Sequence, residues 1–273
     1  MLTRILSAVL LLPVLLAVLL LLDPIYTAIL LAVMAAIAAY ELLYGTGLVK
    51  RVRPIIYTAL MAVFVVLWSA LDLNFAWMQL ASLVFIVLLL AEVMADHLCF
   101  AFDKVCVCLV AGLVIPYMLS SLVRLRSAED GKIMVLIPFL ISFIADTFAY
   151  FTGVFFGKHK LAPKLSPKKT IEGLIGGISF TVIGMIVFCI ILSRYYNYEV
   201  NYVAAAVFGL IGSIVSVFGD LSFSVIKRQT GIKDYGNLIP GHGGILDRFD
   251  STIFVAPMVE LFMLLWPFMV RTL

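Results

Sequence analysis

Apolar residues in this chain fall in long, nearly unbroken runs, and polar residues are confined to the gaps between them. A helix needs roughly 20 mostly apolar residues to cross the hydrocarbon of a bilayer. Nine runs approach that length: 5–22, 25–44, 55–71, 76–95, 105–122, 133–151, 174–193, 203–226 and 252–270. Barrel strands would alternate in polarity and these runs do not, so helices are the predicted spanning elements. The pattern therefore predicts an all-α fold, a polytopic transmembrane helical bundle of about nine spans. Pro13 and Pro116 stand inside two of the runs and should kink their helices. Two longer polar gaps interrupt the pattern, at 157–173 and 227–250. They divide the chain into residues 1–132, transmembrane helices without a motif, and residues 133–273, a catalytic transmembrane region carrying both gaps.

Composition agrees with this reading. Of 273 residues, 64% are hydrophobic and 13% charged, whereas soluble domains carry about 45–50% apolar and about 25% charged residues. A net charge of +3 is too small to argue for a nucleic-acid partner. The distribution of the cations says more. With the N-terminus inside, fourteen of the nineteen lysines and arginines fall on the inner side, Arg4, Lys50, Arg51, Arg53 and Lys104 among them. Arg124, Arg126, Lys132, Arg194 and Arg271 fall outside. The excess favours an N-in, C-out orientation, with the 124–132 segment running against it. The first run has Arg4 ahead of it but no clear small-residue cleavage site, and reads as a retained helix. Cys99, Cys106, Cys108 and Cys189 lie in or beside apolar runs and read as small buried hydrophobes, neither a metal set nor a disulfide framework.

Ionisable groups at membrane depth cost about 2.5–3.5 kcal/mol each, so they usually face a cavity or a partner. Asp146 lies inside the sixth run and Asp220 inside the eighth. The plainer reading of either is a hydrogen bond within the bundle. Asp220, Ser224 and Lys227, however, stand at i, i+4 and i+7 and share one helical face. A carboxylate suits a hard cation such as Mg²⁺, which binds through one or two carboxylates plus substrate phosphates. The gap that follows holds Lys227, Arg228, Lys233, Arg248, Asp234, Asp247, Asp250 and His242 among five glycines. Asp247 and Asp250 are three apart and would share a face at a helix start. His242 serves either as a loop histidine bonded to a carbonyl or in a direct role. In the earlier gap Lys158, Lys160 and Lys164 read as topological or headgroup-facing charges. Lys168 and Lys169 adjoin a helix start, where Ser166, Thr170 and Glu172 offer capping groups and phosphate is attracted. Gly173 and Gly177 read as helix-packing contacts. On physical grounds this is a metal- and phosphate-binding site, open to lipid on the inner side, suited to phosphoryl or nucleotidyl transfer. An ion-coupled transporter would instead show inverted repeats and polar groups reached from both faces.

The run from Ser224 to Asp250 closely resembles the signature of phosphatidate cytidylyltransferases (CDP-diacylglycerol synthases): Ser-x-hydrophobe-Lys-Arg, four residues, Lys-Asp, then Pro-x-His-Gly-Gly-x-x-Asp-Arg-x-Asp. The stretches from Asp146 to Lys160 and from Ser166 to Gly173 look like that family too, so the resemblance covers the chain from about Phe139 onward. It implies a nucleotidyltransferase of phospholipid biosynthesis, in which a phosphate oxygen of phosphatidic acid attacks the α-phosphorus of CTP and pyrophosphate leaves. It implies Mg²⁺, with room for a second cation, in a homodimer of the bacterial cell membrane with its site facing the cytoplasm. On this reading Asp220, Lys227, Asp247 and Asp250 are catalytic, and Asp220, Asp247 and Asp146 hold metal. Lys168, Lys169, Ser224, Arg228, Lys233, Asp234, His242 and Arg248 bind substrate. A CTP-dependent prenol or lipid kinase would need a similar site and differs in its product.

Overall fold

In a computed structural model the chain is described over residues 2–271, with the side chains of 2–8, 10 and 11 outside the description, Arg4 among them. The chain is mainly helical. Helices α1 (Leu2–Leu21), α2 (Pro24–Tyr40), α3 (Val52–Ala70), α4 (Phe75–Ala95), α5 (Phe102–Leu109), α6 (Ile115–Ser127) and α7 (Gly131–Met134) come first. Then follow α8 (Leu136–Phe156), α9 (Ile171–Tyr195), α10 (Tyr202–Gln229) and α11 (Leu246–Leu265). Among the described residues seven helical stretches are long and apolar enough to cross a membrane: 24–45, 52–70, 75–95, 102–127, 131–156, 171–195 and 202–229. The first and last predicted runs stand apart from these. Only Leu12–Leu21 of the first is a shorter apolar helix there. The last begins earlier than predicted, at Leu246, with Asp247, Arg248 and Asp250 in its opening turns, and ends at Leu265.

Four short strands qualify the all-α expectation. Strands β1 (Lys160–Ala162) and β2 (Ser166–Thr170) pair antiparallel, with Lys160 opposite Thr170. Strands β3 (Tyr198–Val200) and β4 (Met269–Arg271) pair likewise, with Tyr198 opposite Arg271. Where the backbone leaves a helix its polar groups need partners, and a hairpin supplies them without water. Cys108 and Cys189 are buried as expected, but Cys99 and Cys106 are exposed.

The chain forms two compact units, residues 1–135 with 226–249, and residues 136–225 with 250–273. In the first unit, α2 presents a face of small residues (Ala28, Ala32, Ala35, Ala38, Ala39), all buried, in its packing against α3 and α6. Small residues let helices approach closely where lipid competes equally for apolar surface. Pro116 does not break its helix. A wider π turn at Val110–Val114 precedes it, which absorbs the missing amide and the ring's clash with the carbonyl of Gly112. The arginines that ran against the charge asymmetry are consumed inside the fold. Arg126, 6% exposed, donates from Nε to Leu19 O at 2.6 Å and through a terminal nitrogen to Leu22 O at 2.8 Å, closing the end of α1. Arg124 donates to the hydroxyls of Ser69, Ser120 and Ser121.

In the second unit α8 and α9 run against each other along a glycine seam. A Cβ on Gly173 would lie 2.6 Å from Ala149 O, and one on Gly177 2.9 Å from Ala145 O, so both glycines serve packing as expected. Helix α10 meets α11 through Gly219, where a Cβ would come within 2.7 Å of Asp250 O. Helix α10 starts from Asn201, whose Oδ1 accepts the amides of Val203 and Ala204, both at 3.1 Å.

Replacing Arg126 with Ala orphans the Leu19 and Leu22 carbonyls, and charge-assisted bonds of this kind contribute about 1.5–3 kcal/mol. The thermal midpoint of Arg126→Ala in detergent is expected to fall clearly, with Arg126→Lys recovering part of the loss. An unchanged midpoint for Arg126→Ala would remove this role for the arginine.

Candidate active site

The polar loop of the first unit is organised around one buried carboxylate. Asp247, its side chain 2% exposed, belongs to the first turn of α11. Its Oδ1 accepts Lys227 Nζ at 2.8 Å, while Oδ2 accepts the amides of Tyr235 at 2.8 Å and Gly244 at 3.0 Å. Lys227, in the last turn of α10, also lies 5.5 Å from the centre of the buried Tyr235 ring. A buried carboxylate is tolerated only when donors replace its water, and here two backbone amides and an ammonium do so. Residues 231–244 have almost no regular structure, and their path is held by these bonds. Gly243 has φ of +85°, and a Cβ there would sit 2.7 Å from Asp247 Oδ2. Both the left-handed backbone and the close approach require glycine.

A second carboxylate, not anticipated from the sequence, braces the same loop. Glu41, 3% exposed, lies in a π turn, Glu41–Gly45, that continues α2. Its Oε1 accepts Ile245 N and its Oε2 accepts Leu246 N, each at 3.0 Å. It thereby takes up amides at the start of α11 that have no partner within the helix. Gly244 and Gly236 press against this carboxylate, and a Cβ on either would overlap it. The rule that singled out Asp146 and Asp220, an ionisable group within a membrane-length apolar run, applies equally to Glu41 in the run 25–44.

In the second unit Lys169 of β2 forms an ion pair with Asp220 of α10, the side chains 24% and 26% exposed. Lys169 Nζ is buried, and the carboxylate oxygen it faces is Asp220 Oδ2. Ser224, one turn along, makes a long contact of 3.4 Å with Asp220 Oδ1. The hairpin is tied down by Glu172, whose carboxylate accepts the amides of Lys158 and His159 and pairs with His159 Nδ1 at 2.6 Å. Thr170 caps α9, its hydroxyl accepting Gly173 N at 3.1 Å. Of the three capping groups expected at this helix start, Thr170 fills the role. Ser166 lies in β2, and Glu172 turns back to the hairpin.

The remaining expected residues are placed as follows. Lys168 is exposed on β2, and Asp146 is exposed on α8. Arg228, Lys233, Asp234 and Arg248 are exposed around the loop. His242 sits in a turn with its amide on Ile239 O at 2.9 Å, and its Nδ1 is buried without a hydrogen-bond partner among the described residues. Asp250 follows in α11, its Oδ1 accepting Ser251 N at 2.7 Å. Among the described residues no three His, Cys, Asp or Glu side chains gather as a ready-made metal cage.

Residues 2–266 match the model of the cytidylyltransferase family. Among curated proteins, the chain is 35% identical over 242 residues to the phosphatidate cytidylyltransferase of Staphylococcus haemolyticus, covering 87% of this chain and 90% of that one. It is 30% identical over 289 residues to the phosphatidate cytidylyltransferase of Haemophilus influenzae, covering 95% and 97%. The enzyme of that name from Rickettsia typhi is 40% identical over 154 residues, covering 55% and 67%.

Glu41→Gln keeps shape but offers one acceptor where two amides need one, and a buried unsatisfied amide costs about 1–3 kcal/mol. Hydrogen–deuterium exchange over residues 236–249 is expected to quicken in Glu41→Gln, and more in Glu41→Ala. Exchange as slow as in the wild type would show that Glu41 does not brace the loop.

Proposed function

Because the chain belongs to the cytidylyltransferase family, we propose that it transfers the cytidylyl group of CTP to phosphatidic acid, giving CDP-diacylglycerol and pyrophosphate. One observation carries the mechanistic part of this reading. Two acids, Asp247 within the signature and Asp220 one turn before it, are each held by a lysine, Asp247 by Lys227 and Asp220 by Lys169.

A lysine ammonium is a compact charge suited to a phosphate oxygen. When a triphosphate draws such a lysine away, the carboxylate it covered is left with an open oxygen. Hard cations such as Mg²⁺ bind through one or two carboxylates together with substrate phosphates and water, so a single carboxylate oxygen per pair fits their chemistry. Asp220, partly exposed, is the better ligand. Asp247 keeps Oδ2 on the backbone and has only Oδ1 to offer. Asp146 and Asp250 are further ligands or hold waters. A bound cation would supply charge stabilisation at the transferring phosphorus.

The chemistry requires little else of the protein. An anionic oxygen of phosphatidic acid forms a new bond to the α-phosphorus. The bond from that phosphorus to the bridging oxygen breaks, and its electron pair leaves with pyrophosphate. The nucleophile is already ionised, so no side chain must remove a proton. Catalysis lies in alignment and in meeting developing charge. Lys169, Lys227 and the exposed Lys168, Arg228, Lys233 and Arg248 supply cations for the phosphates. Ser224, Asp234 and His242 shape the approaches, and the buried Nδ1 of His242 is ready for a ligand donor or acceptor.

The orientation proposed is N-in, C-out, with the β1–β2 hairpin and the 227–250 loop on the cytoplasmic side. It is supported by the charge asymmetry and by the internal use of Arg124 and Arg126. In a background without exposed native cysteines, Lys164→Cys should react with a charged maleimide only in inside-out vesicles, and Tyr196→Cys only from outside. The reverse labelling would refute the orientation.

For the reaction itself, Asp220→Asn and Asp247→Asn membranes are assayed with CTP and phosphatidic acid. Loss of a group that offsets transition-state charge costs about 10²–10³ in rate, so both variants are expected to fall at least that far. Near wild-type turnover in both would defeat the role of these acids. A phosphorylated prenol, formed in place of CDP-diacylglycerol when both acceptors are offered, would identify a kinase instead.

A further inference from the structure

Away from the signature loops, the first unit contains a cavity of about 390 Å³ where α2, α3, α4 and α5 end or begin. Residues 47–51 form one wall, and Cys99, Phe100 and Lys104 the other. Three cations, Lys50, Arg51 and Lys104, line it, and no carboxylate does. Lys104 Nζ donates to Cys99 O at 2.6 Å. Neither Lys50 nor Lys104 makes an ion pair among the described residues. Arg51 pairs with Asp96 and, at 3.7 Å, with Glu92, but a guanidinium has five donors and retains some for a ligand. Asp96 also accepts Cys99 N at 3.1 Å, so one carboxylate ties the two walls together. The Cys99 amide, with the nearby Arg51 guanidinium, holds the Asp96 carboxyl below its ordinary range. The strap is therefore charged at neutral pH.

Charges that only orient a chain in the membrane need not converge. Here they come from the 47–51 connection and the first turn of α5 and face one hollow, whose size is that of a small-molecule site. Phe100, wholly buried, sits in its wall, and Val52, Met94, Leu98 and Phe102 stand 65–85% exposed at the neighbouring helix ends. Cations grouped beside exposed apolar side chains suit an amphiphile with an anionic head.

We propose that this cavity binds the phosphate head of an anionic glycerophospholipid, a phosphomonoester above all, with its acyl chains along the exposed apolar side chains of α3, α4 and α5. A dianionic phosphate has enough acceptor oxygens for three cationic side chains, which a zwitterionic head would satisfy poorly. The site shares no residue with the two lysine–carboxylate pairs, and the proposal does not depend on the transfer reaction.

The full chain, purified in an uncharged detergent and carrying Asp220→Asn to silence turnover, is titrated with phosphatidic acid, phosphatidylcholine, inorganic phosphate and CTP. Bound lipid is counted by native mass spectrometry. Phosphatidic acid is expected to bind well above phosphatidylcholine. The Lys50→Gln/Lys104→Gln variant should weaken it about tenfold or more, and the Arg/Arg variant should retain it. Cys99, exposed in the cavity wall, gives a second readout that needs no variant in the site: phosphatidic acid should slow its alkylation and phosphatidylcholine should not. Unchanged lipid affinity in the Gln/Gln variant, or no protection of Cys99, would overturn the proposal. Protection of Cys99 by inorganic phosphate or CTP, without any by lipid, would also overturn it in favour of a soluble-phosphate site.

Discussion

A carboxylate almost wholly removed from water must be surrounded by donors, and Asp247 meets that demand with Lys227 and the amides of Tyr235 and Gly244. The glycine-rich loop has no ladder of its own, so these bonds take the place of secondary structure. Glu41 repeats the device from the end of α2, holding Ile245 and Leu246. A segment poor in local order is thus fixed by two acids from different parts of the chain. That explains why glycines stand where a side chain would strike one carboxylate or the other. It also explains how a flexible composition is compatible with placing charged groups accurately, since catalysis by alignment tolerates little looseness.

The second unit reaches a similar end by other means. Its helices approach along glycine seams, and its polar segment becomes a hairpin held by Glu172 and Thr170. Lys169 then projects from a strand onto Asp220 of a membrane-length helix. In both units an acid largely withdrawn from water is kept company by a lysine, which lowers the cost of burying either charge alone. The same pairing keeps a cation and an anion together in a form that a charged substrate can separate.

Much of this was legible in the chain. The runs from 25 to 226 appear as helices shifted by only a few residues, because unbroken apolar length is a strong signal in a bilayer. Asp220, Lys227 and Asp247 stood out as ionisable groups inside or beside such runs, and the structure finds each in an ion pair. The hairpin was not legible. Its strands are short and lysine-rich, and what stabilises them is Glu172, a residue whose local position suggested only a cap. Glu41 was missed for a related reason: it stands alone at the end of an apolar run, and its partners lie some two hundred residues away. The π turn before Pro116 was likewise hidden, since proline announces a distortion without saying which form relieves it.

The central claim is that the lysines cover the carboxylates until a triphosphate removes them, and metal binding tests it most directly. Mn²⁺, followed by electron paramagnetic resonance on the purified chain, serves as the probe for a hard divalent cation. Binding is expected to be weak alone and to tighten strongly when CTP is added, while Lys169→Met should bind Mn²⁺ more tightly than the wild type without nucleotide. Equal Mn²⁺ affinity with and without CTP, unaltered by Lys169→Met, would contradict the account.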